Sequence, residues 1–251
     1  QANLTFALRG HYAGDALSLY AGLRARQPGQ RGAFIAFDEQ AILSLSPELF
    51  FEIEGNCIRA RPMKGTAPRG RNAREDAANA AALAASEKER AENLMIVDLL
   101  RNDLGRLARI GSVEVSDLYT VERYPTLFQM TSGITARLRP GLGLRDILAA
   151  LFPCGSVTGA PKIRAMEIIR ALEPHPRGVY CGAMGFIAPA RSNPSPGEAF
   201  CGDMHFNVGI RTAILRQDGA LTLNVGSGVV FESQAEAEYA ECLLKARFLT
   251  G

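Results

Sequence analysis

No two of the five cysteines form a Cys-x-x-Cys pair; they stand at Cys57, Cys154, Cys181, Cys201 and Cys242. That spacing argues against a zinc site, and the odd number argues against a closed disulfide framework, so reduced and mostly buried thiols are expected. Long hydrophobic runs are missing as well. No apolar stretch approaches the roughly 18 residues of a membrane span, and the opening QANLTFALRG has neither the basic end nor the apolar run of a signal peptide. The expectation is a soluble, cytoplasmic protein with no membrane contact. Lys and Arg number 28 against 26 Asp and Glu and form no long basic run, which argues against a nucleic-acid partner. Small charged metabolites remain. What is abundant is apolar: 47% hydrophobic against 22% charged residues over 251 positions supports one compact domain, 1–251, with a real core. Gln1 opens the chain directly in a β-like run, so this domain is expected to continue upstream.

Local signals place the elements. Asp15 caps a predicted helix through about Arg26; AFIAF-DEQ-AILSLS reads as a hairpin, and LFFEIEGNCIRARP as another turning at Gly55-Asn56. From Ala73 to about Leu107 the chain is rich in Ala, Leu, Glu and Arg without proline, which suits one long or two abutting helices. Strand-like SVEVSDLYTVERY follows, then a helix from about Leu144 to Leu151, the Gly-rich loop CGSVTGAP, and a helix opened by Pro161 and closed by Pro174. The last third reads as strands VYCGAMGFIA, NVGIRTAILR and ALTLNVGSGVV, with a Pro-rich surface loop PARSNPSPGEAF and a final helix from about Ala235 to Phe248. Hairpins and helices without regular βαβ alternation indicate an α+β fold.

Several stretches could carry chemistry. Glu89 and Glu92 lie three apart on one helix, as do Glu238 and Glu241 on another, so each pair projects from one helical face. Such carboxylates could share a magnesium ion, which takes oxygen ligands and keeps several waters; equally, Lys88 with Glu92 and Glu241 with Lys245 could be ordinary i,i+4 surface pairs. CGSVTGAPK lacks the Gly-Lys-Ser/Thr of a nucleotide loop. A Gly-rich turn entering a helix N-terminus remains, suited to an anion such as a carboxylate or to no ligand at all. In VGSGVV, Gly226 and Gly228 allow a close approach to the backbone, or a bulge. In RARPMKGTAPRG, Lys64 stands where a β-like stretch gives way to a loop. A free lysine near pKa ~10.4 is only about one part in a thousand neutral at pH ~7.4, so use as a nucleophile would require its pKa lowered by roughly two to three units.

Taken together and in order, SPELFFE, PMKGTAPRG, SEKERAENLMIVDLLRNDLGR, GSVTGAPKIRAMEIIRALEP, GVYCGAMGF, FNVGIRTA, VGSGVVFES and EYAECLLKA resemble the chorismate-utilising enzymes, over nearly the whole chain, and most closely their aminodeoxychorismate-forming branch. The resemblance implies a four-layer α/β/β/α arrangement of orthogonally packed mixed sheets around a central chorismate cleft. In the anthranilate, isochorismate and salicylate branches the position of Lys64 is typically small; in the aminodeoxychorismate branch it is the lysine that attacks ring C2 as the C4 hydroxyl leaves, before ammonia attacks C4 and expels it. Met63, where Ile is usual, conserves volume.

The same resemblance assigns further roles. Glu48 matches the general acid for the departing hydroxyl, a role that needs a carboxyl of raised pKa. Glu92 and Glu241 match direct Mg²⁺ ligands, and Glu89 and Glu238 acidic partners acting through water. Tyr180 and Arg211 match residues that hold the enolpyruvyl carboxylate, for which the Arg fork is suited; Thr66, Gly226, Gly228 and Lys245 match other substrate contacts. Gln129, also counted among the substrate contacts, stands where much of the family has histidine, and can hydrogen-bond there but not shuttle a proton. His205 stands where Asp is frequent and carries no assigned role. Ammonia is implied to come from a separate glutamine amidotransferase, because Cys154, Cys181 and Cys201 lack a nucleophile-elbow setting. Expected alternatives are an anthranilate-forming relative and a non-catalytic chorismate-binding one. An isochorismate or salicylate synthase fits less well, since its water-activating lysine would stand at Gln1.

Overall fold

The computed structural model describes residues 1–27, 31–125, 127–189 and 202–250. In chain order these form β1 (Ala2–His11), α1 (Ala16–Arg26), β2 (Arg31–Ala36), β3 (Gln40–Ser46), β4 (Leu49–Glu54), β5 (Cys57–Arg61), β6 (Met63–Pro68), α2 (Ala73–Ala85), α3 (Glu87–Gly105), β7 (Glu114–Arg123), β8 (Leu127–Arg137), α4 (Leu144–Leu151), α5 (Lys162–Leu172), β9 (Ala183–Ile187), β10 (Met204–Val208), β11 (Thr212–Arg216), β12 (Ala220–Val229) and α6 (Ala235–Thr250). The class is α+β. The strands make a five-stranded sheet, β1-β12-β11-β3-β2, and a seven-stranded one, β6-β8-β5-β4-β10-β9 with β7 also paired to β8.

The chain divides into two compact units, each built from separate segments: Gln1–Glu48, Val157–Met184 and Asn207–Gly251 in the first, Leu49–Ser156 and Gly185–Phe206 in the second. Because each unit takes strands from distant parts of the chain, no linker marks the division in the sequence. Most of the Pro-rich stretch, together with Cys201, lies outside the described residues.

In the first unit, period-2 alternation sorts the sheet into two faces. Ala41, Leu43 and Leu45, Ala213 and Leu215, and Leu223 and Val225 pack with Leu23 of α1 and with Cys242, Ala246 and Phe248 of α6 in one apolar core. The intervening residues are largely polar. Ser44 and Thr212 are cross-strand partners joined by their hydroxyls at 2.9 Å, and Asn3 and Thr5 stand opposite Gly228 and Gly226. The Asp15 cap holds: its carboxylate accepts the Ser18 N–H at 2.7 Å and starts α1.

In the second unit β8 is the shared strand. Its Phe128 and Met130 pack with Leu83 of α2, and Ser132 bonds Asn93 of α3 at 2.5 Å, so the even positions face the helices. Gln129 and Thr131 therefore face the other way. Ser86 decides the two-helix alternative by ending α2 and capping α3, accepting the Glu89 N–H through its hydroxyl at 3.3 Å.

The start of α2 is pinned by Asp76, whose side chain is 5% exposed. Its carboxylate accepts Arg69 Nε at 2.7 Å, Arg69 Nη2 at 2.9 Å and the Gly70 N–H at 2.9 Å, and also pairs with Arg123. The Arg69 hydrogen bond, then that of Gly70, holds the Asp76 pKa far below the usual carboxylate range, against the opposing effect of burial. A carboxylate pKa depressed by folding stabilises the native state above its unfolded value of about 3.9, and that stabilisation is lost as pH falls toward the folded value. Urea midpoints of the native protein should therefore fall on acidification below about pH 4, and Asp76→Asn, less stable at pH 7, should show a shallower acid limb.

Two expectations change. PMKGTAPRG is not a loop after Pro62: Met63–Pro68 is strand β6. NVGIRTAILR is not one strand but two, β10 and β11, in different sheets. The break falls at Arg211, at φ 48°, and Gly209 exchanges backbone bonds with the 179–182 turn, its carbonyl accepting the Cys181 N–H and its N–H donating to Gly182, both at 2.8 Å. The first part of VYCGAMGFIA belongs to this turn, so β9 begins only at Ala183.

No described helix is long and apolar enough to cross a membrane.

Candidate active site

Lys64 lies in a β-bulge. Met63 pairs with Thr131 and Thr66 with Gln129, and the ladder shifts between them, so Lys64 and Gly65 together face the single position Met130. Gly65 makes this possible. Its φ is +79°, and a Cβ there would lie 2.9 Å from Glu89 Oε2 and 3.2 Å from Leu83 Cδ1, so the helix side of the bulge is closed by α2 and α3. Gly65→Ala should lower stability by about 1–3 kcal/mol, measured by urea unfolding, because strain and overpacking fall on one residue.

On the opposite face of β8, Gln129 is 7% exposed and accepts the Thr66 hydroxyl at 3.2 Å while donating to the Gly65 carbonyl at 2.7 Å. Beside it Glu122 accepts Thr131 Oγ1 at 2.8 Å and Tyr124 OH at 2.6 Å, and pairs with Arg61. Sequence reading missed this cluster, because Arg61 and Thr131 reach Glu122 only through strand pairing.

Among the first-unit candidates, Glu48 is 4% exposed, its N–H donating to Ser46 Oγ at 3.2 Å and its carbonyl accepting the Val208 N–H at 3.1 Å. Tyr180 and Arg211 are carried together by the backbone bonds of Gly209, and the Arg211 carbonyl is tied to the Leu45 N–H at 3.0 Å. Burial pushes the Tyr180 hydroxyl well above its ordinary pKa. It stays a neutral phenol, able to donate a hydrogen bond to a carboxylate. Burial likewise pushes the Cys181 thiol up to about 12, over the opposing pull of Arg177, which leaves it without thiolate character at neutral pH.

Gly226 and Gly228 resolve as close approaches. The β1–β12 ladder is regular from Ala2 to His11, and a Cβ at Gly228 would lie 2.3 Å from Gln1 Nε2, while one at Gly226 would lie 2.6 Å from the Leu4 carbonyl. The CGSVTGAP segment likewise pairs with β1: Asn3 N–H to Thr158 O at 2.8 Å and Ala160 N–H to Gln1 O at 3.1 Å. The Ala160 donor is thus engaged and Pro161 has none.

An ion pair outside the predicted set holds this region. Arg177 donates from Nε and Nη2 to both carboxylate oxygens of Glu173 at 2.9 and 2.7 Å, from Nη1 to Val157 O at 2.8 Å and from Nη2 to Asn3 O at 2.7 Å. Glu173 also accepts the Thr5 N–H and hydroxyl at 2.9 and 3.0 Å. The only sequence signal is the spacing of four between Glu173 and Arg177, which the end of α5 at Leu172 disguises.

The helical glutamates come as two pairs. Glu92 lies 3.9 Å from Lys88, and Glu241 2.6 Å from Lys245, the i,i+4 contacts open to the sequence. Lys245 also reaches the Gly226 carbonyl at 2.9 Å, and Glu238 accepts the Ser233 hydroxyl at 2.6 Å. Among the described residues no group of three or more His, Cys, Asp or Glu side chains is gathered as a metal site. His205 contacts Glu52 at 3.5 Å and stacks on Phe186.

The second unit thus presents an amine on a β-bulge, and the first a buried carboxyl at Glu48 and a neutral phenol at Tyr180, groups able to act on a small acidic metabolite. A family model for chorismate binding enzymes matches residues 1–251, and the chain belongs to that family. It is 45% identical over 241 residues to aminodeoxychorismate synthase component 1 of Salmonella typhimurium, covering 96% of this chain and 50% of that one. It is 39% identical over 249 residues to anthranilate synthase component 1 of Aquifex aeolicus, covering 99% of this chain and 48% of that one. The chain thus spans about half the length of these curated relatives. Among solved structures, anthranilate synthase component I from Streptococcus pneumoniae superposes with a TM-score of 0.85 at 35% identity, covering 100% of this chain and 53% of that one. The menaquinone-specific isochorismate synthase of Escherichia coli superposes at 0.87 with 23% identity, covering 99% and 55%, and shares the fold.

Proposed function

We propose that this chain is the catalytic part of an aminodeoxychorismate synthase component I, converting chorismate and ammonia to 4-amino-4-deoxychorismate, the precursor of p-aminobenzoate and folate, in the cytoplasm. The observation that carries it is Lys64, a lysine set in a bulge whose backbone is clamped on both faces. In the first step the neutral Lys64 amine forms a C–N bond at ring C2, the ring double bonds shift, and the C4–O bond breaks as Glu48 gives its proton to the leaving hydroxyl, releasing water. In the second, ammonia forms a C–N bond at C4, the C2–N bond returns its electron pair to Lys64, and the proton lost by the new ammonium restores Glu48. Two allylic displacements replace one difficult substitution. Tyr180 and Arg211 would hold the enolpyruvyl carboxylate, with Thr66, Gly226, Gly228 and Lys245 as further substrate contacts.

Magnesium is the proposed cofactor. The donors are all carboxylate oxygens, which fit a hard divalent ion; Glu92 and Glu241 would bind it directly, exchanging their lysine partners for it, and Glu89 and Glu238 through water. Once bound it would neutralise and orient the ring carboxylate of chorismate. A separate glutamine amidotransferase would supply ammonia.

Identity to anthranilate synthases of 39–40% makes C2 amination with loss of pyruvate the second reading. Incubation with chorismate, magnesium and ammonium decides: 4-amino-4-deoxychorismate supports the proposal, fluorescent anthranilate replaces it with the rival, and thermal stabilisation by chorismate without turnover indicates a non-catalytic relative.

A further inference from the structure

We propose that Gln129 is a positioning residue: its side-chain amide closes the β-bulge that carries Lys64 and thereby fixes where the Lys64 amine stands. The inference rests on the reading of Lys64 as nucleophile. In a bulge the extra residue leaves ladder groups unpaired, and here Gln129 supplies what the ladder lacks. Nε2 donates to the Gly65 carbonyl at 2.7 Å, and Oε1 accepts the Thr66 hydroxyl at 3.2 Å. One amide therefore grips the two residues that follow Lys64, from the sheet face opposite to the one on which Glu89 and Leu83 close against Gly65. Gln129 is 7% exposed and sits directly across the ladder from Thr66, so its own placement is set by β8. With donor and acceptor both engaged, its part is to hold the backbone under the nucleophile. Misplacement of a reacting group by about 1 Å can cost on the order of 10²-fold in rate, so a group that fixes a lysine root carries weight without touching substrate.

The test compares the native protein with Gln129→Met, which keeps the length of the side chain and loses the donor without adding charge, and Gln129→Leu, which loses donor and acceptor and shortens it. Three readouts are taken: hydrogen exchange of the 63–68 peptide, the pH profile of acetic anhydride labelling of Lys64 against the exposed Lys88, and the rate and half-saturation of chorismate capture. In the variants, exchange at 63–68 should rise roughly tenfold, and the Lys64 profile should shift while that of Lys88 does not. Capture should slow by roughly tenfold or more with half-saturation little changed. An unchanged Lys64 profile overturns the proposal whether or not the bulge loosens, as does unchanged exchange at 63–68. If the native protein captures no chorismate, the enzymatic reading falls, while exchange and labelling still decide the role of Gln129. Should Gln129→Leu fail to fold, the neutral, unbranched Gln129→Met carries the comparison.

Discussion

Protein mixed with chorismate and magnesium in the absence of ammonia is expected to gain, on the peptide bearing Lys64, the mass of chorismate less one water. Lys64→Ala is expected to lose that gain, together with roughly 10³-fold or more of turnover. The size follows from the role proposed for the amine: without it the C4 substitution would have no covalent route, and positioning and acid catalysis would be all that remain. Lys64 is half-buried on β6, so truncation should leave the urea midpoint within about 1 kcal/mol of native, which separates lost chemistry from lost folding. Peptide mass spectrometry decides the matter, and an adduct that persists in Lys64→Ala would place the nucleophile elsewhere.

The largest effect on stability is expected at the Arg177–Glu173 pair. The two side chains are 14% and 8% exposed, and Arg177 also satisfies the carbonyls of Val157 and Asn3. Removing one partner leaves a buried charge without compensation, at a cost of about 3–5 kcal/mol. Arg177→Met and Glu173→Leu should each fall in that range in urea unfolding, and the double variant should lose much less than their sum, because the second change removes the stranded charge. Additive losses of under about 1 kcal/mol each would mean that the pair is merely a surface contact. Because Arg177 begins the turn that carries Tyr180 and Cys181, with Tyr180 N–H bonded to Arg177 O at 3.1 Å, the same variants should also weaken chorismate binding.

Much of the fold was legible because its signals are local. The Asp15 cap, the turn at Gly55, at φ 59°, and the close of α5 before Pro174 each depend on a few neighbouring residues. The family was legible in a different way, as an ordered set of motifs, and the candidate site residues come from that resemblance. Where the reading stopped short, the deciding partner was far along the chain. Gly209 breaks NVGIRTAILR because residues 181 and 182 bind it. PMKGTAPRG is a strand because β8, more than 60 residues later, offers it an edge.

From its residues alone this protein declared an α+β chain and the positions of its helix caps and turns, since side-chain type and spacing are sufficient for each, while its family came from the resemblance of its ordered motifs to known enzymes. Tertiary structure alone set the conformation at Lys64 and the use of Gln129. It also set the meeting of Arg177 with Glu173, Asn3 and Val157, because hydrogen bonds across sheets and helix ends depend on register, which no short stretch encodes.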